Sequence, residues 1–326
     1  MADLSVNYMG LKLKSPIILG SSTMSKTTEN MKAAESEGAG AVILKSLFEE
    51  ELRQGDAGYS DSFHPEAYEY IMKDALMVYG TKGYTETIEK TKKAVQIPVI
   101  ASINCMGGKW WAGFAKDIEN AGADAVELNI AYVPFSITDD PRGVEQRYID
   151  TVKAVKAEVK IPVAVKIGPN FTSIPYMAAK LKEAGADSLT LFNRYYQMAI
   201  DTDTLKLKPV HYYSTENETY NVLRWVSVIT TQLGVNVGSS TGVHTASAVL
   251  QHILAGASAV QMVSEVYKNG FGRISAILEE VDQWLELRKK ASLADIRGLA
   301  SKKNAGEHMG FERTQYMKIA EAMLVQ

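Results

Sequence analysis

Cysteine is nearly absent: Cys105 stands alone among 326 residues, which excludes an intrachain disulfide and a thiolate-held metal cluster. Histidine is scarce too. His64, His211, His244, His252 and His308 show no H-E-x-x-H spacing, so no resident transition metal is expected. No window approaches the roughly 18 apolar residues of a membrane helix. The opening residues, MADLSVNYMGLKLKSPIILGSS, lack the basic segment and apolar run of a secretory signal. Neither sign of charge is in excess, with 35 Lys and Arg against 38 Asp and Glu and a formal charge of −3. That balance argues against nucleic acid or an anionic membrane as partner. The expectation is a cytoplasmic protein whose partner is a small molecule. The Gly-rich fingerprint G-x-G-x-x-G is also missing, which argues against an open dinucleotide-binding sheet.

What is present is a repeat. EGAGAVILKS (37–46), NAGADAVELN (120–129), EAGADSLTLFN (183–193) and LAGASAVQMVS (254–264) each read as a helix tail, a glycine suited to the left-handed position after it, and a short apolar strand buried on both faces. Between them lie four more strand candidates, at 15–22, 97–104, 161–168 and 235–242. Apolar residues at 110–121, 145–158 and 174–184 recur at helical steps, and a helix over 245–255 follows the seventh strand. Eight β-α units predict an α/β chain of the (β/α)8 TIM-barrel class. LSVNYMGLKLK alternates as a hairpin expected to plug the barrel bottom. Long connections at 47–96 and 194–234 place extended loops after strands 2 and 6, with 56–70 a candidate lid. No linker divides the chain, so one domain is expected over 1–326, with a barrel core of about 15–285 and a charged tail at 286–326 that ends in a short helix.

In such barrels the chemistry sits at the C-terminal ends of the strands. Those ends carry Gly20-Ser21-Ser22, Lys45-Ser46, Asn104-Cys105, Asn129 through Tyr132, Lys166, Asn193-Arg194, Ser239 through Gly242, and Val263-Ser264. Any one of them reads equally well as a helix cap or as a lysine reaching for water. Together they converge on one mouth. Two lysines there favour an anion or an electron-rich ring. The small residues of GSSTGVHTAS, directly before a helix, suit a phosphate. Asparagine both donates and accepts while lysine only donates, so the set can read a flat heterocycle with alternating carbonyl and N–H groups.

Lys45-Ser46, the ELN at 127–129, Val165-Lys166, Asn193 and the AGASAVQM run resemble the FMN-dependent dihydroorotate dehydrogenase family, including its dihydropyrimidine dehydrogenase relatives. The resemblance runs from about residue 4 to 285, and 189–225 is similar to bacterial proteins described only as dihydroorotate dehydrogenase-like. It implies an FMN oxidoreductase of pyrimidine metabolism, acting on a CH–CH bond and forming a homodimer. By the same resemblance Gly20, Ser21 and Ser22 line the isoalloxazine ring. Lys45 and Lys166 lie at its N1/O2 edge, Ser46 touches flavin or substrate, and Asn104, Asn129 and Asn193 bind the ring edge and substrate carbonyls. Ser240, Thr241, Gly242, Val263 and Ser264 hold the phosphate.

The departures are specific. Where the family pattern has a cysteine or serine base in a loop resembling N-x-S-C-P-N, this chain reads Asn129-Ile130-Ala131-Tyr132-Val133-Pro134, and Tyr132 becomes the candidate proton-transfer residue. A phenol is a weaker base than a thiol near neutrality. The paired glycines of the phosphate turn read Thr241-Gly242. Arg194 could grip a substrate carboxylate, Cys105 reads as a small buried hydrophobe, and His211 with Tyr212-Tyr213 faces either the pocket or a dimer surface. Two other function classes stay open: a flavin-binding electron-transfer or regulatory protein without dihydroorotate activity, and a Schiff-base lyase using Lys166.

Overall fold

The structure is a computed structural model that describes residues 1–48, 81–105, 109–195 and 197–301, the side chains of residues 105, 109 and 110 excepted. The candidate lid at 56–70 and the expected helix near the C-terminus fall outside those residues.

A hairpin comes first, β1 (Val6–Tyr8) against β2 (Leu11–Leu13), antiparallel. The barrel strands follow: β3 (Ile17–Leu19), β4 (Ala41–Ile43), β6 (Val99–Cys105), β7 (Ala125–Ile130), β8 (Val163–Ile167), β9 (Ser188–Leu191), β12 (Asn236–Ser239) and β13 (Ala259–Met262). They are parallel, each paired with its neighbour in chain order through β4–β6 and β13–β3, and so close into the expected eight-stranded barrel. A two-residue strand, β5 (Leu47–Phe48), adds to the outer end of β6.

The repeated corner has the expected backbone. Gly38, Gly122, Gly185 and Gly256 all sit at positive φ, between 93° and 116°, where a side chain would be strained. Helices α1 (Thr28–Ser36) and α2 (Thr81–Ala94) come first; the helix of 110–121 is α3 (Lys109–Asn120), that of 174–184 is α5 (Ile174–Glu183) and that of 245–255 is α7 (Ala246–Ala255). The helix of 145–158, α4 (Pro141–Glu158), begins earlier than the apolar periodicity at 145 suggests. Asp140 caps it by accepting from the Arg142 and Gly143 amides, with Pro141 in the first turn. The long connection after β9 holds an exposed hairpin, β10 (Gln197–Asp201) with β11 (Lys206–Val210), before α6 (Thr219–Leu233).

Side chains alternate along each strand, so every second residue enters the barrel. At the bottom, Tyr8, Met9 and Leu13 of the N-terminal segment pack against Ile18, Ala41, Ile43, Ile100, Ala125, Ala164 and Ala259, and the hairpin is the plug the sequence suggested. The fit is close: a Cβ at Gly238 would lie 2.6 Å from the Tyr8 hydroxyl oxygen. The outward faces pack against the helices in the larger core. On β6, β7, β8 and β13 the inner face turns polar toward the strand end, through Asn104, Asn129, Lys166 and Gln261, and that pattern sets the character of the mouth.

Candidate functional site

The inward positions grow more polar along the barrel axis. Above the apolar plug, Glu127 is fully buried; its Oε2 accepts from Gln261 Nε2 at 2.5 Å and from Thr190 Oγ1 at 2.8 Å. Glu127 Oε1 and Gln261 Oε1 have no partner among the described residues. Burial, with the Glu127 charge second, pushes the Tyr8 phenol beneath them up to about 12. Two residues further along the strands stand Asn104, Asn129 and Lys166, in direct register with one another across β6, β7 and β8. Asn129 is 1% exposed, and neither its Nδ2 nor its Oδ1 meets a partner among the described residues. Lys166 is 6% exposed and makes no ion pair among the described residues.

The barrel opens above them into a cleft of about 810 Å³, its open mouth included. Ser21, Ser22, Lys45, Lys166, Asn193 and Arg194 line it from strands 1, 2, 5 and 6. Ser240, Thr241, Gly242, Val263 and Ser264 line it from the last two strands. The sequence thus identified residues that the fold brings together from six strands. Gly20, Ser46, Asn104 and Asn129 lie buried outside this lining. Ser46 does so as a positioning group: Ser21 Oγ lies 3.0 Å from Ser46 Oγ, which lies 2.7 Å from Ser102 Oγ.

The loop after β12 is built for close approach. Gly242 has φ 78°, and a Cβ there would lie 2.4 Å from the Thr219 nitrogen. Thr241 keeps φ 80° although it is not glycine, a conformation that costs about 1 kcal/mol or more and persists only where its surroundings enforce it. Its neighbours do so: Ser240 donates its amide to Leu191 O at 2.7 Å, and the Thr219 hydroxyl donates to Gly242 O at 2.7 Å. This leaves a turn of small residues beside Val263-Ser264, at the edge of the cleft.

Arg194 and Tyr132 have partners the sequence did not indicate. The Arg194 fork is engaged by Glu218, with Nε 2.7 Å from Oε2 and Nη2 3.3 Å from Oε1, and it also donates to the Tyr212 and Tyr213 carbonyls. Burial raises the Glu218 carboxyl, but the hydrogen bonds from Arg194 and Thr215 outweigh it and hold the group below its usual range. Tyr132 is not in the lining. Its hydroxyl donates to Asp139 Oδ1 at 3.2 Å, and the Arg147 guanidinium sits 4.7 Å above its ring.

Of the group read as facing either the pocket or a dimer surface, Tyr212 and Tyr213 line the cleft and His211 does not. Ser214, Val243, Gln261 and Tyr267 also line it and were not picked out from the sequence. Tyr267 anchors the first loop, accepting from the Thr23 amide at 3.1 Å and meeting the Thr23 hydroxyl. Gln261 carried a signal, a lone amide inside the apolar run AVQMV. Ser214 and Tyr267 lie in a loop and a helix whose sequences carry none.

Among the described residues Lys166 has no counter-ion and the Asn129 amide has both atoms unpaired, and such buried groups are costly unless something completes them. The donors and acceptors fit a planar heterocycle at the strand ends, and the turn at 240–242 with 263–264 fits its phosphate. Comparisons with known proteins agree with that chemistry. The family model for dihydroorotate dehydrogenase matches residues 3–285. Among curated relatives, the protein named dihydroorotate dehydrogenase B (NAD(+)), catalytic subunit, from Pyrococcus abyssi is 31% identical, with 92% of this chain and 99% of the relative covered. Those of the same name from Pyrococcus furiosus and Thermoplasma acidophilum are 30% and 27% identical over the same shares. With eight parallel strands closed over a polar mouth and a match along most of its length, the chain belongs to the dihydroorotate dehydrogenase family of flavin-dependent oxidoreductases acting on a CH–CH bond.

Proposed function

We propose that the chain binds FMN in this cleft and transfers hydride between the flavin and a C–C bond of dihydroorotate or a related small carbonyl compound, within pyrimidine metabolism. The observation that carries the reading is the juxtaposition, among the described residues, of Lys166, a buried ammonium with no ion pair, and Asn129, a buried amide with neither atom paired. Bound FMN supplies the ring that stores the hydride and its electrons. The chain's own residues bind and orient. Lys45 and Lys166 set positive charge at one ring edge, while Gly20, Ser21 and Ser22 pack beneath it with Ser46 fixing Ser21. Asn104, Asn129 and Asn193 donate to and accept from the ring edge and the substrate carbonyls. Amides and hydroxyls of Ser240, Thr241, Gly242, Val263 and Ser264 receive the phosphate. Arg194 adds positive charge for a substrate carboxylate while Glu218 holds its fork.

Tyr132 is the proton-transfer residue in this reading, and Asp139 accepts from its hydroxyl. A proton leaving substrate carbon passes to the phenol oxygen as the phenol proton passes to the Asp139 carboxylate. The loop 131–140 has to carry the hydroxyl to the mouth for this to occur. A second copy of the chain covers the exposed apolar residues Met198, Ile200, Leu205 and Leu207 of the β10–β11 hairpin, giving a homodimer in the cytoplasm. Cys105 is the one cysteine in the sequence, too few to ligate an iron–sulfur cluster, so any electron partner carries its own cluster.

Anaerobic mixing of the purified yellow protein with dihydroorotate, dihydropyrimidines, NADH and NADPH tests the reading. Bleaching of the flavin by dihydroorotate is expected. Stoichiometric FMN that none of these donors reduces would replace the dehydrogenase with a flavin-binding electron carrier. Tyr132→Phe should slow the bleaching by about 10²-fold or more, the usual scale for a lost proton-transfer group; an unchanged rate removes Tyr132 from the chemistry and leaves the flavin in place.

A further inference from the structure

Three buried side chains at the phosphate end of the cleft form a chain that ends on a hydroxyl in the lining. Ser214 comes from the long connection after β9 and is 5% exposed. Its Oγ lies 2.9 Å from His244 Nε2, and His244 Nδ1 lies 3.0 Å from Glu265 Oε2. His244 directly follows the turn Thr241-Gly242-Val243, and Glu265 directly follows Ser264. Each wall of the phosphate cradle thus contributes one member. Ser214 is tied to the same walls by its backbone, donating its amide to Ser264 Oγ at 3.0 Å and accepting from Lys268 Nζ at 3.2 Å.

The direction of these hydrogen bonds depends on one proton. With a neutral imidazole protonated on Nδ1 toward Glu265, Nε2 can only accept, so the Ser214 hydroxyl gives its hydrogen to His244 and turns lone pairs toward the cleft. Lone pairs repel an anion. With an imidazolium, Nε2–H donates to Ser214 Oγ, and the hydroxyl hydrogen is released to a ligand oxygen. Glu265 is placed to hold the added charge. Burial raises its carboxyl, but hydrogen bonds from His244, Arg273 and Asn269 outweigh this and keep it below its usual range. Among the described residues, the charged and titratable groups facing the imidazole include Glu265 and, beyond it, Arg273 at 2.7 Å from Glu265 Oε1, with Lys268 and the phenols of Tyr213 and Tyr267 on the Ser214 side.

We propose that Ser214, His244 and Glu265 are a proton-coupled phosphate latch: His244 takes one proton from solvent when a phosphate group enters the turn, and the Ser214 hydroxyl then donates to that group. The inference rests on the reading that a phosphate-bearing flavin occupies the cleft. It assigns a binding role to Ser214, which the long connection supplies, and ties ligand affinity to pH.

Calorimetric loading of the full-length chain, stripped of flavin and titrated with FMN or with riboflavin, tests it. The measurement is made near pH 8, where the phosphate is already a dianion, in two buffers of different ionisation enthalpy. Uptake of up to one proton with FMN and none with riboflavin is expected. FMN release from the holoprotein, followed by flavin fluorescence, should quicken by up to tenfold per pH unit as His244 loses its proton. His244→Gln, whose amide donates at every pH, should bind FMN with neither proton uptake nor that pH dependence. Ser214→Ala should lose about tenfold in FMN affinity and leave riboflavin unchanged. FMN binding by the native chain without proton uptake overturns the latch, as does uptake undiminished in His244→Gln. A chain that takes up no FMN at all overturns the flavin reading instead.

Discussion

Glu127, Thr190 and Gln261 show how much one side chain below the mouth depends on its neighbours. Among the described residues the carboxylate has two donors and no ion pair, and one of those donors is the Gln261 amide at 2.5 Å. Gln261→Leu should therefore cost about 2–3 kcal/mol of unfolding free energy in urea, because a buried charged acceptor loses a hydrogen bond and gains no water. A cost below about 0.5 kcal/mol would mean that the carboxylate is satisfied in another way. Asn104, Asn129, Lys45, Lys166 and Asn193 were legible in sequence because each polar residue closes an apolar run. Glu127 lies two residues before Asn129 on the same inward face, yet its partner Gln261 is 134 residues away. No local pattern pairs them, and only barrel closure does. Ser214 was illegible for a related reason: its meaning comes from His244 across a gap of 30 residues.

At the scale of elements, the repeated G-A-D corner carries more than a turn. Asp124 Oδ2 accepts the Val99 amide at 2.7 Å while Lys92 pairs with it, and Asp187 Oδ2 accepts the Val163 amide at 2.8 Å while Lys156 pairs with it. Each aspartate clamps the first amide of the preceding strand to its own, which sets the stagger of adjacent strands at the barrel bottom. In the fourth repeat the corresponding residue is Ser258, whose hydroxyl donates to Asn236 Oδ1 at 2.8 Å. Asp187→Ala should lower stability by about 1–2 kcal/mol, within the range for a charge-assisted hydrogen bond, and should leave FMN affinity unchanged. A loss of affinity without loss of stability would show that the corner communicates with the mouth. The corners, strands and helices could be read ahead from glycine spacing and period. The start of α4 at Pro141 could not be read from periodicity, since it is fixed by the Asp140 cap.

The whole molecule carries a pH dependence in His252, a fully buried residue of α7 whose Nδ1 lies 2.8 Å from Ser239 Oγ on β12. Burial lowers its imidazole to about 3. The unfolded chain takes up the proton below about pH 6.5, whereas the folded chain refuses it until about pH 3, so the unfolded state binds more protons within that window. Stability is full above the unfolded value and falls with falling pH, by up to about 1.4 kcal/mol per pH unit. His252→Asn, with an amide oxygen near the position of Nδ1, should flatten that slope in urea titrations across the window; an equal slope in both proteins would place the acid sensitivity elsewhere. Along the barrel axis the molecule passes from the apolar plug of Tyr8, Met9 and Leu13 through one buried carboxylate to two ammonium groups. Among the described residues the plug closes one end of the barrel and the cleft opens at the other. If both what gives electrons and what takes them enter by that end, the order of visitors becomes a property of the architecture as much as of their affinities.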